Sequence, residues 1–398
     1  ETERNLQAPR FSPSGELIAF FEGTDGRISV SVVEVASRKR RVVSDAWEIV
    51  AGAPCWSPGG KEIWFTGTRR GGDPEALYAV NLSGRERLIT RGPGSLELDD
   101  ISREGRVLAG HHRLRVVVMG RRRGEANERD LSWFDGSTPT DLSADGNTLV
   151  FTEFGEGGGG RQYATYIRGT DGSPAVRLGE GMAGTLSPDG KWVSARLTGE
   201  SGSLPRLMVL PTGTGEPKTV PTAGLDFSGA GNWLPDGRRL LLAAAEKGRP
   251  PRVFVVDVES GIRRAVTPEG FAAFRTPSTG NPVSPDGTRF LAVDAKLDRF
   301  VGFMDGTAPR PAQGFLPQQL PVRWATDSRS IIVREFGLPI KLNLLNVETG
   351  EKSAWKEIRP AGPRSGGPQV VLITGDGETY VYQNFGALSD LYLIDGLR

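Results

Sequence analysis

The side chains that could carry out chemistry are few, and three of them lie close together. The acids Glu97, Asp99 and Asp100 fall within one short apolar-polar segment. Carboxylate oxygens are the ligands that a hard cation such as Ca²⁺ prefers, but Ca²⁺ takes about six or more oxygens, and neighbouring side chains of a strand point to opposite faces. The acids are therefore predicted to contact a ligand, without a metal site and without a cofactor.

Histidine is the scarcest of the catalytic side chains. His111 and His112 are the only two, and as neighbours on a strand they cannot readily bind one metal ion. His111 is kept as a candidate ligand contact, although a solvated pair at the end of a strand is the simpler interpretation. This shortage disfavours Ser-His-Asp chemistry. The single cysteine, Cys55, excludes an internal disulfide and a cysteine-based zinc site.

Two other features invite a functional interpretation. The segment 153–160 is glycine-rich, but it lacks the Lys-Ser/Thr of a Walker loop and no helix follows, so it is predicted to be a loop between strands. The basic runs 38–41 and 121–123 are interpreted as solvated edge and turn residues. Trp133 lies outside the repeat pattern described below and is a candidate exposed anchor for a partner.

Bulk composition excludes several classes of protein. Lys and Arg number 49 and Asp and Glu number 48, so the net charge of +1 predicts no nucleic-acid partner. No apolar stretch approaches the ~18 residues of a transmembrane helix, so no membrane insertion is predicted. The first residues lack an initiator Met and the apolar core of a signal peptide, which suggests a processed protein or a fragment of a longer one.

A turn motif repeats every 41 to 50 residues and marks the strands that must position these side chains. In Ser187-Pro188-Asp189-Gly190 the Ser bonds back into the turn, Pro pre-sets φ, and Gly takes the left-handed conformation that ends a type I turn. The fourth position of each copy is Gly15, Gly60, Gly105, Gly146, Gly190, Gly237, Gly287, Ser328 and Gly377.

The flanks of each turn predict strands. An apolar residue precedes every turn, a polar residue follows it directly, and an apolar residue lies two positions further on, which indicates the period-2 pattern of a strand. Each copy continues into a third strand, such as the one predicted at 390–395, and most copies into a short fourth strand. A four-stranded antiparallel unit repeated at this spacing is typical of a propeller blade. Trp residues at 56, 64, 192, 233 and 324 are expected in the cores between blades.

Nine motifs predict an all-β chain that forms a single β-propeller domain over residues 1–398. The ninth copy ends after its third strand, so Thr2–Leu6 is expected to supply the fourth strand and close the ring. An eight-bladed ring is the alternative, because the third turn, Ser102–Gly105, lacks Pro and Asp. A closed ring has no need of a partner for stability, so a monomer is expected.

Longer phrases resemble known families. The Ser-Pro-Asp-Gly turns followed by Lys61–Phe65 resemble TolB-like or WD-repeat-like propellers. Phrases from about residue 100 onward resemble the C-terminal propeller of bacterial eukaryotic-like serine/threonine kinases; they are Glu128–Trp133, Asp141–Gly146, Gly155–Gly160, Thr170–Pro174, Val176–Gly181 and Leu388–Arg398. That resemblance implies a sensor or scaffold outside the cytoplasmic membrane if a membrane span attaches it, and a cytoplasmic protein otherwise. The chain has none of the kinase catalytic motifs, so the resemblance does not imply kinase activity for this chain.

Two functions from different classes follow. The first is a non-catalytic module that binds a protein, a peptide, or a small ligand in the central channel, because loops on a rigid frame suit recognition. The second is a channel-centred hydrolase or lyase that uses carboxylates and a bound cation. The first is favoured, because channel acids are found on one blade only.

Overall fold

A computed structural model describes most of the chain. The described residues are 5–24, 27–69, 75–91, 95–134, 136–158, 163–199, 203–273, 280–316, 318–360 and 370–397. They form strands and one 3-10 turn at Gly155–Gly158, and none of their helical segments is long enough or apolar enough to cross a membrane.

The repeated turn has the geometry that its residue types predict. In the fifth copy Ser187 Oγ donates to Asp189 Oδ1 at 2.6 Å, and Gly190 N donates to Ser187 O at 2.8 Å. Gly190 has a φ of +72°, and Ser328, which replaces Gly in the eighth copy, is held at +54°. A left-handed φ is costly for a residue with a Cβ, so glycine is preferred there.

The chain divides into two compact units, which are Glu1–Leu114 with Ala387–Arg398 (unit 1) and Arg115–Gly386 (unit 2). Blades are numbered here in the order of the nine turns. The strands that begin in unit 1 are β1 (Asn5–Phe11), β2 (Leu17–Thr24), β3 (Arg27–Glu34), β4 (Arg40–Trp47), β5 (Ile49–Trp56), β6 (Glu62–Thr68), β7 (Ala76–Asn81), β8 (Glu86–Thr90), β9 (Ser95–Ile101) and β10 (Val107–Arg121).

Unit 1 contains three blades. Blade 1 is β1 to β4 and blade 2 is β5 to β8, each paired in chain order. Blade 3 contains β9 and the start of β10, joined by the third turn, together with the C-terminal strand of the chain from Ala387 onward. An aromatic core around Trp47 and Phe65 joins blades 1 and 2, and a smaller core around Leu77 and Leu98 joins blades 2 and 3.

Unit 2 contains the remaining strands. They are β11 (Arg129–Asp130), β12 (Thr138–Leu142), β13 (Thr148–Glu153), β14 (Ala164–Gly169), β15 (Val176–Glu180), β16 (Met182–Leu186), β17 (Trp192–Leu197), β18 (Arg206–Pro211), β19 (Lys218–Val220), β20 (Leu225–Asp226), β21 (Asn232–Trp233), β22 (Arg239–Glu246), β23 (Arg252–Asp257), β24 (Arg263–Ala265), β25 (Phe271–Ala273), β26 (Arg289–Asp294), β27 (Arg299–Phe303), β28 (Arg310–Pro311), β29 (Gln319–Trp324), β30 (Ser330–Glu335), β31 (Ile340–Asn346), β32 (Lys352–Ile358), β33 (Val370–Ile373) and β34 (Tyr380–Ile394).

Six blades close into a ring within unit 2. Blades 4 to 8 follow in chain order as β12–β15, β16–β19, β20–β24, β25–β28 and β29–β32. Blade 9 combines β33 and the start of β34 with the end of β10 and β11. An apolar cluster lies between each blade and the next, and the last of them packs Val381 of blade 9 against Phe151 of blade 4. Burial of these faces is the main stabilising contribution.

The prediction of an all-β propeller chain with nine blades is confirmed, and the third turn does form a blade. Among the described residues the hydrogen-bonded sheets number eight, because β10 and β34 each continue from one repeat into another without a break. The predicted closure was wrong. Asn5 and Leu6 pair with Gly23 and Glu22 as the first strand of blade 1, and the predicted strand 390–395 is the end of the continuous strand β34. Thr2–Arg4 lies outside the described residues.

Candidate functional site

The three acids on β9 have different surroundings, and the Asp99 Oδ2 atom is buried without a hydrogen-bond partner among the described residues. Glu97 lies beside Gly52 of β5, where an added Cβ would be 3.1 Å from Glu97 Oε1. The ladder shifts at Asp99, which is left without an opposite residue on β10, and Asp100 Oδ1 accepts the Ile101 N–H at 2.8 Å. Among the described residues no three His, Cys, Asp or Glu side chains are grouped so that they could hold a metal ion. The ligand role of the acids stays a prediction.

The histidine pair and the cysteine also lie in unit 1. His111 is opposite Leu96 on β9, and its ring centroid is 6.4 Å from that of Tyr392. The side chain of His112 lies outside the described residues. Cys55 is buried, and burial raises the pKa of its thiol to about 12, so it stays protonated and is a poor nucleophile.

Trp133 is exposed, as predicted, and it belongs to a larger group in unit 2. Its side chain is 40% exposed, and its ring centroid is 5.8 Å from that of Phe134, which is 47% exposed. Phe154 and Tyr163, at 37% and 40%, flank the loop between β13 and β14. These four residues are called the aromatic cluster. Isolated exposed apolar residues are ordinary, but several in neighbouring segments suggest a binding surface.

Glycines let the rings approach the backbone. A Cβ on Gly157 would lie 2.6 Å from Phe134 Cδ2, and a Cβ on Gly136 would lie 2.9 Å from Phe154 Cγ. No side chain could occupy either position without displacing a ring. The connection from blade 9 to blade 4 and the β13–β14 loop are therefore in direct contact, through Phe134 against Gly157 and Phe154 against Gly136.

The buried carboxylate of Glu153 fixes the backbone next to the exposed rings. Glu153, the last residue of β13, is fully buried and accepts hydrogen bonds from Ser137 Oγ and, at 3.3 Å, from Phe134 N. Ser137 Oγ in turn accepts the Trp133 N–H at 3.0 Å. One side chain thus fixes the backbone on both sides of the exposed rings.

A buried arginine, Arg168, fixes the backbone just before Trp133. Arg168 is 7% exposed and donates to Leu131 O at 2.9 Å, Ser132 O at 3.1 Å and Gly172 O at 2.9 Å. Its guanidinium lies 6.0 Å from the Trp133 ring, within reach of a cation–π interaction. Burial lowers the pKa of Arg168, but an arginine stays charged at physiological pH.

A second group of polar side chains, which no sequence motif indicates, lies on the inner strands of unit 2. Asp141 of blade 4 accepts the N–H groups of Leu142 at 2.9 Å and of Leu186, in blade 5, at 2.8 Å. Burial raises the pKa of Asp141 to about 6, although Arg323 of blade 8 opposes that rise. Arg323 donates to Ile373 O of blade 9 at 3.0 Å. Carboxyl groups with a raised pKa are candidates for proton transfer.

Comparison with known proteins leaves the ligand open. No family model and no curated protein matches the sequence. Among solved structures, the putative TolB from Agrobacterium tumefaciens is 15% identical, with 69% of this chain and 99% of that chain covered and a TM-score of 0.49. The β-propeller domain of the Trilobed protease from Pyrococcus furiosus is 14% identical, with 67% and 84% covered and a TM-score of 0.27.

A third similar structure is an oligogalacturonate lyase in complex with manganese. It is 13% identical, with 89% of this chain and 88% of that chain covered and a TM-score of 0.37. At such identities and at TM-scores below 0.5, none of these likenesses carries an argument about activity or ligand.

Proposed function

We propose that the chain is a non-catalytic binding propeller that recognises a protein or peptide through the aromatic cluster. The observation that carries this proposal is the exposed ring pair Trp133–Phe134 on a backbone that the buried side chains of Glu153 and Arg168 hold in place. Rigid aromatic side chains offer a large contact area for little loss of conformational entropy, and a preorganised surface avoids part of the cost of binding.

The proposal extends to a role as the sensor or scaffold portion of a bacterial serine/threonine kinase. The support is the sequence resemblance, which includes Glu128–Trp133 and Gly155–Gly160; the first segment ends at Trp133 and the second follows Phe154 in the sequence. In this role the chain would lie outside the cytoplasmic membrane, and ligand binding would be relayed to a kinase domain in the same protein.

Peptide selection tests the binding proposal. A phage-displayed library of short random peptides is panned on the 398-residue chain, and the affinity of enriched peptides is then measured by isothermal titration calorimetry. We expect enriched peptides to carry apolar anchors and Trp133→Ala to weaken them by about tenfold or more, as for a buried aromatic contact in an interface.

A matched variant makes this result specific. Ile262 is 74% exposed in a turn of blade 6, about 100 residues after the aromatic cluster in the sequence. Ile262→Ala should therefore leave the peptide affinity unchanged. If no peptide is enriched, or if both variants bind every enriched peptide as the parent chain does, the aromatic cluster is not the recognition surface.

A channel-centred hydrolase or lyase is the second candidate, and Asp141 is the observation that favours it. A carboxyl with a pKa of about 6 can exchange a proton near neutral pH. Titration of the chain with Ca²⁺ and Mn²⁺ in the calorimeter tests the cation that this function requires. Stoichiometric binding that Asp141→Asn abolishes would favour the enzyme, whereas no binding heat is expected for the proposed binding module.

A further inference from the structure

Equivalent residues of blades 1 and 2 have opposite exposure. Phe11 and Trp56 are both the last residue before their blade's turn, and each pairs with an isoleucine, Ile18 or Ile63, on the next strand. Trp56 is 7% exposed because it packs on blade 1, whereas Phe11 is 65% exposed. The position that blade 2 buries against its predecessor is therefore exposed to solvent in blade 1.

Other apolar side chains lie on that same face of blade 1. Ala19 and Phe21 of β2 pack toward blade 2, so alternation places Phe20 and Glu22 on the opposite face. Phe20 and Glu22 are themselves buried, at 7% and 4% exposed, so the exposed part of this face is formed by the outer strands β1 and β4. Leu6 pairs with Glu22, and Val42 pairs with Ser31, which pairs in turn with Phe20. Leu6 is 61% exposed and Val42 is 45% exposed. Leu6, Phe11 and Val42 are called the open face of blade 1.

The far side of blade 3 presents a second such face. Ile394 packs into the core between blades 2 and 3, and the Tyr392 ring contacts His111. Alternation along β34 therefore turns Leu391 and Leu393 away from blade 2. Their side chains are 67% and 59% exposed, and they are called the open face of blade 3. Unit 1 thus has an open apolar face at each end of its three blades.

We propose that a second copy of the chain covers both faces, with blade 1 of each copy packing on blade 3 of the other. Unit 2 shows how many blades of this repeat close a ring, because its six blades pack each on the next with none left over. Unit 1 supplies half of that number. Two copies related by a two-fold axis would make two identical junctions and complete six blades.

The proposed junction has the same apolar character as the contact between blades 1 and 2. Within blades 1 and 2 the buried contact joins Ala19 and Phe21 to Trp56 and Ile63, all of them apolar. The proposed junction joins Leu391 and Leu393 to Phe11 in the same head-to-tail sense. The proposal goes beyond peptide binding and does not depend on it, and it replaces the monomer expected from the sequence.

Sedimentation equilibrium of the full chain at micromolar concentrations tests the proposal. The expected mass is twice the 42.8 kDa of one chain. Phe11→Glu or Leu391→Glu alone should raise the dissociation constant by about 100-fold or more, because each substitution places an unpaired carboxylate in both junctions. Mixing the two variants should restore association in part, because one junction of the mixed dimer has both native faces.

Control variants separate loss of the junction from loss of the fold. Ile262→Glu adds the same charge at a residue of unit 2 that is 74% exposed, and it should leave the dimer intact. Leu6→Glu and Leu393→Glu serve as second variants on the two faces, and circular dichroism checks that each chain is folded. A mass of one chain at every concentration would overturn the proposal. So would an unlimited series of larger species, or a dimer that Phe11→Glu breaks and Leu391→Glu leaves intact.

Discussion

Tyr382 Oη donates a hydrogen bond of 2.6 Å to Glu128 Oε2, although the two residues are 254 positions apart. Tyr380 Oη donates to the other oxygen of the same carboxylate at 2.9 Å. The two tyrosines lie on β34 and Glu128 lies just before β11, so the carboxylate fastens the two chain segments that together form blade 9. Burial, with the Glu128 carboxylate beside it, raises the pKa of Tyr380, so its hydroxyl remains a donor.

Removal of one of these donors should weaken blade 9. Tyr382 is 1% exposed, and Tyr382→Phe leaves the ring in place while it deletes a hydrogen bond to a charged acceptor. We expect the free energy of unfolding in urea to fall by about 1.5–3 kcal/mol, the usual range for such bonds. Tyr163→Phe is the control, because Tyr163 is 40% exposed; an equal loss in both variants would contradict a specific role for the Glu128 contact.

Gly302 of β27 lies where a Cβ has no room. An added Cβ would be 2.5 Å from Phe290 Cε2 and 2.8 Å from Phe290 Cε1, and Phe290 is fully buried between blades 6 and 7. Gly302→Ala should therefore force the ring out of its rotamer and cost about 1–3 kcal/mol of unfolding free energy in urea, as overpacking of a core does.

The comparison for this variant is a glycine in open space. Gly213 has no atom within 4 Å of an added Cβ, and its φ is not left-handed, so Gly213→Ala should be neutral or slightly stabilising. Equal effects of the two substitutions would mean that Phe290 can move freely.

The blades could be predicted from the sequence because the information is local. Each Ser-Pro-Asp-Gly turn fixes one hairpin through its own residues, as the bond from Ser187 to Asp189 illustrates. The turn does not determine how the later strands of a blade pair, because that pairing depends on residues far away in the sequence. Nothing in Val107–Arg121 distinguishes one long strand from two short ones, so the sharing of β10 and β34 between two repeats could not be predicted.

The candidate site was predictable only in part. Trp133 was found because it breaks the repeat pattern, but Phe134, Phe154 and Tyr163 carry no such signal, since burial of loop residues depends on which loops meet. The sequence pattern predicts that Glu153 belongs to a glycine-rich loop, whereas Glu153 ends β13 and is buried. Asp141 precedes an ordinary turn, and its raised pKa results from tertiary burial alone.

Asp257 should stabilise the protein at neutral pH and lose that effect in acid. Hydrogen bonds from Ser260 N and Oγ, with one from Arg238, hold the pKa of Asp257 well below its ordinary value. A lowered pKa in the folded state gives stability that is present above the unfolded pKa and is lost as the pH falls through the folded pKa. Asp257→Asn should therefore lower Tm at pH 7, and the difference should shrink on acidification. A difference in Tm that is constant across pH would contradict this assignment.

Asp141 should show the opposite dependence on pH. Its ordinary pKa of 3.8 is raised to about 6 by burial, so the folded chain favours the protonated carboxyl. The stabilising contribution is then complete below the unfolded pKa and is lost as the pH rises toward 6, with an upper limit of about 3 kcal/mol.

The comparison of Asp141→Asn with the parent chain isolates the pH dependence that comes from Asp141, because the many turn aspartates titrate in both proteins. The difference in unfolding free energy, measured in urea at several values between pH 4 and pH 7, should favour the parent chain most at the acid end. Asn does not titrate, and its amide can accept only one of the two N–H groups that Asp141 binds, those of Leu142 and Leu186, so some loss is expected at every pH. A difference that grows as the pH rises would mean that the Asp141 carboxylate, and not the protonated acid, is the form that the fold favours.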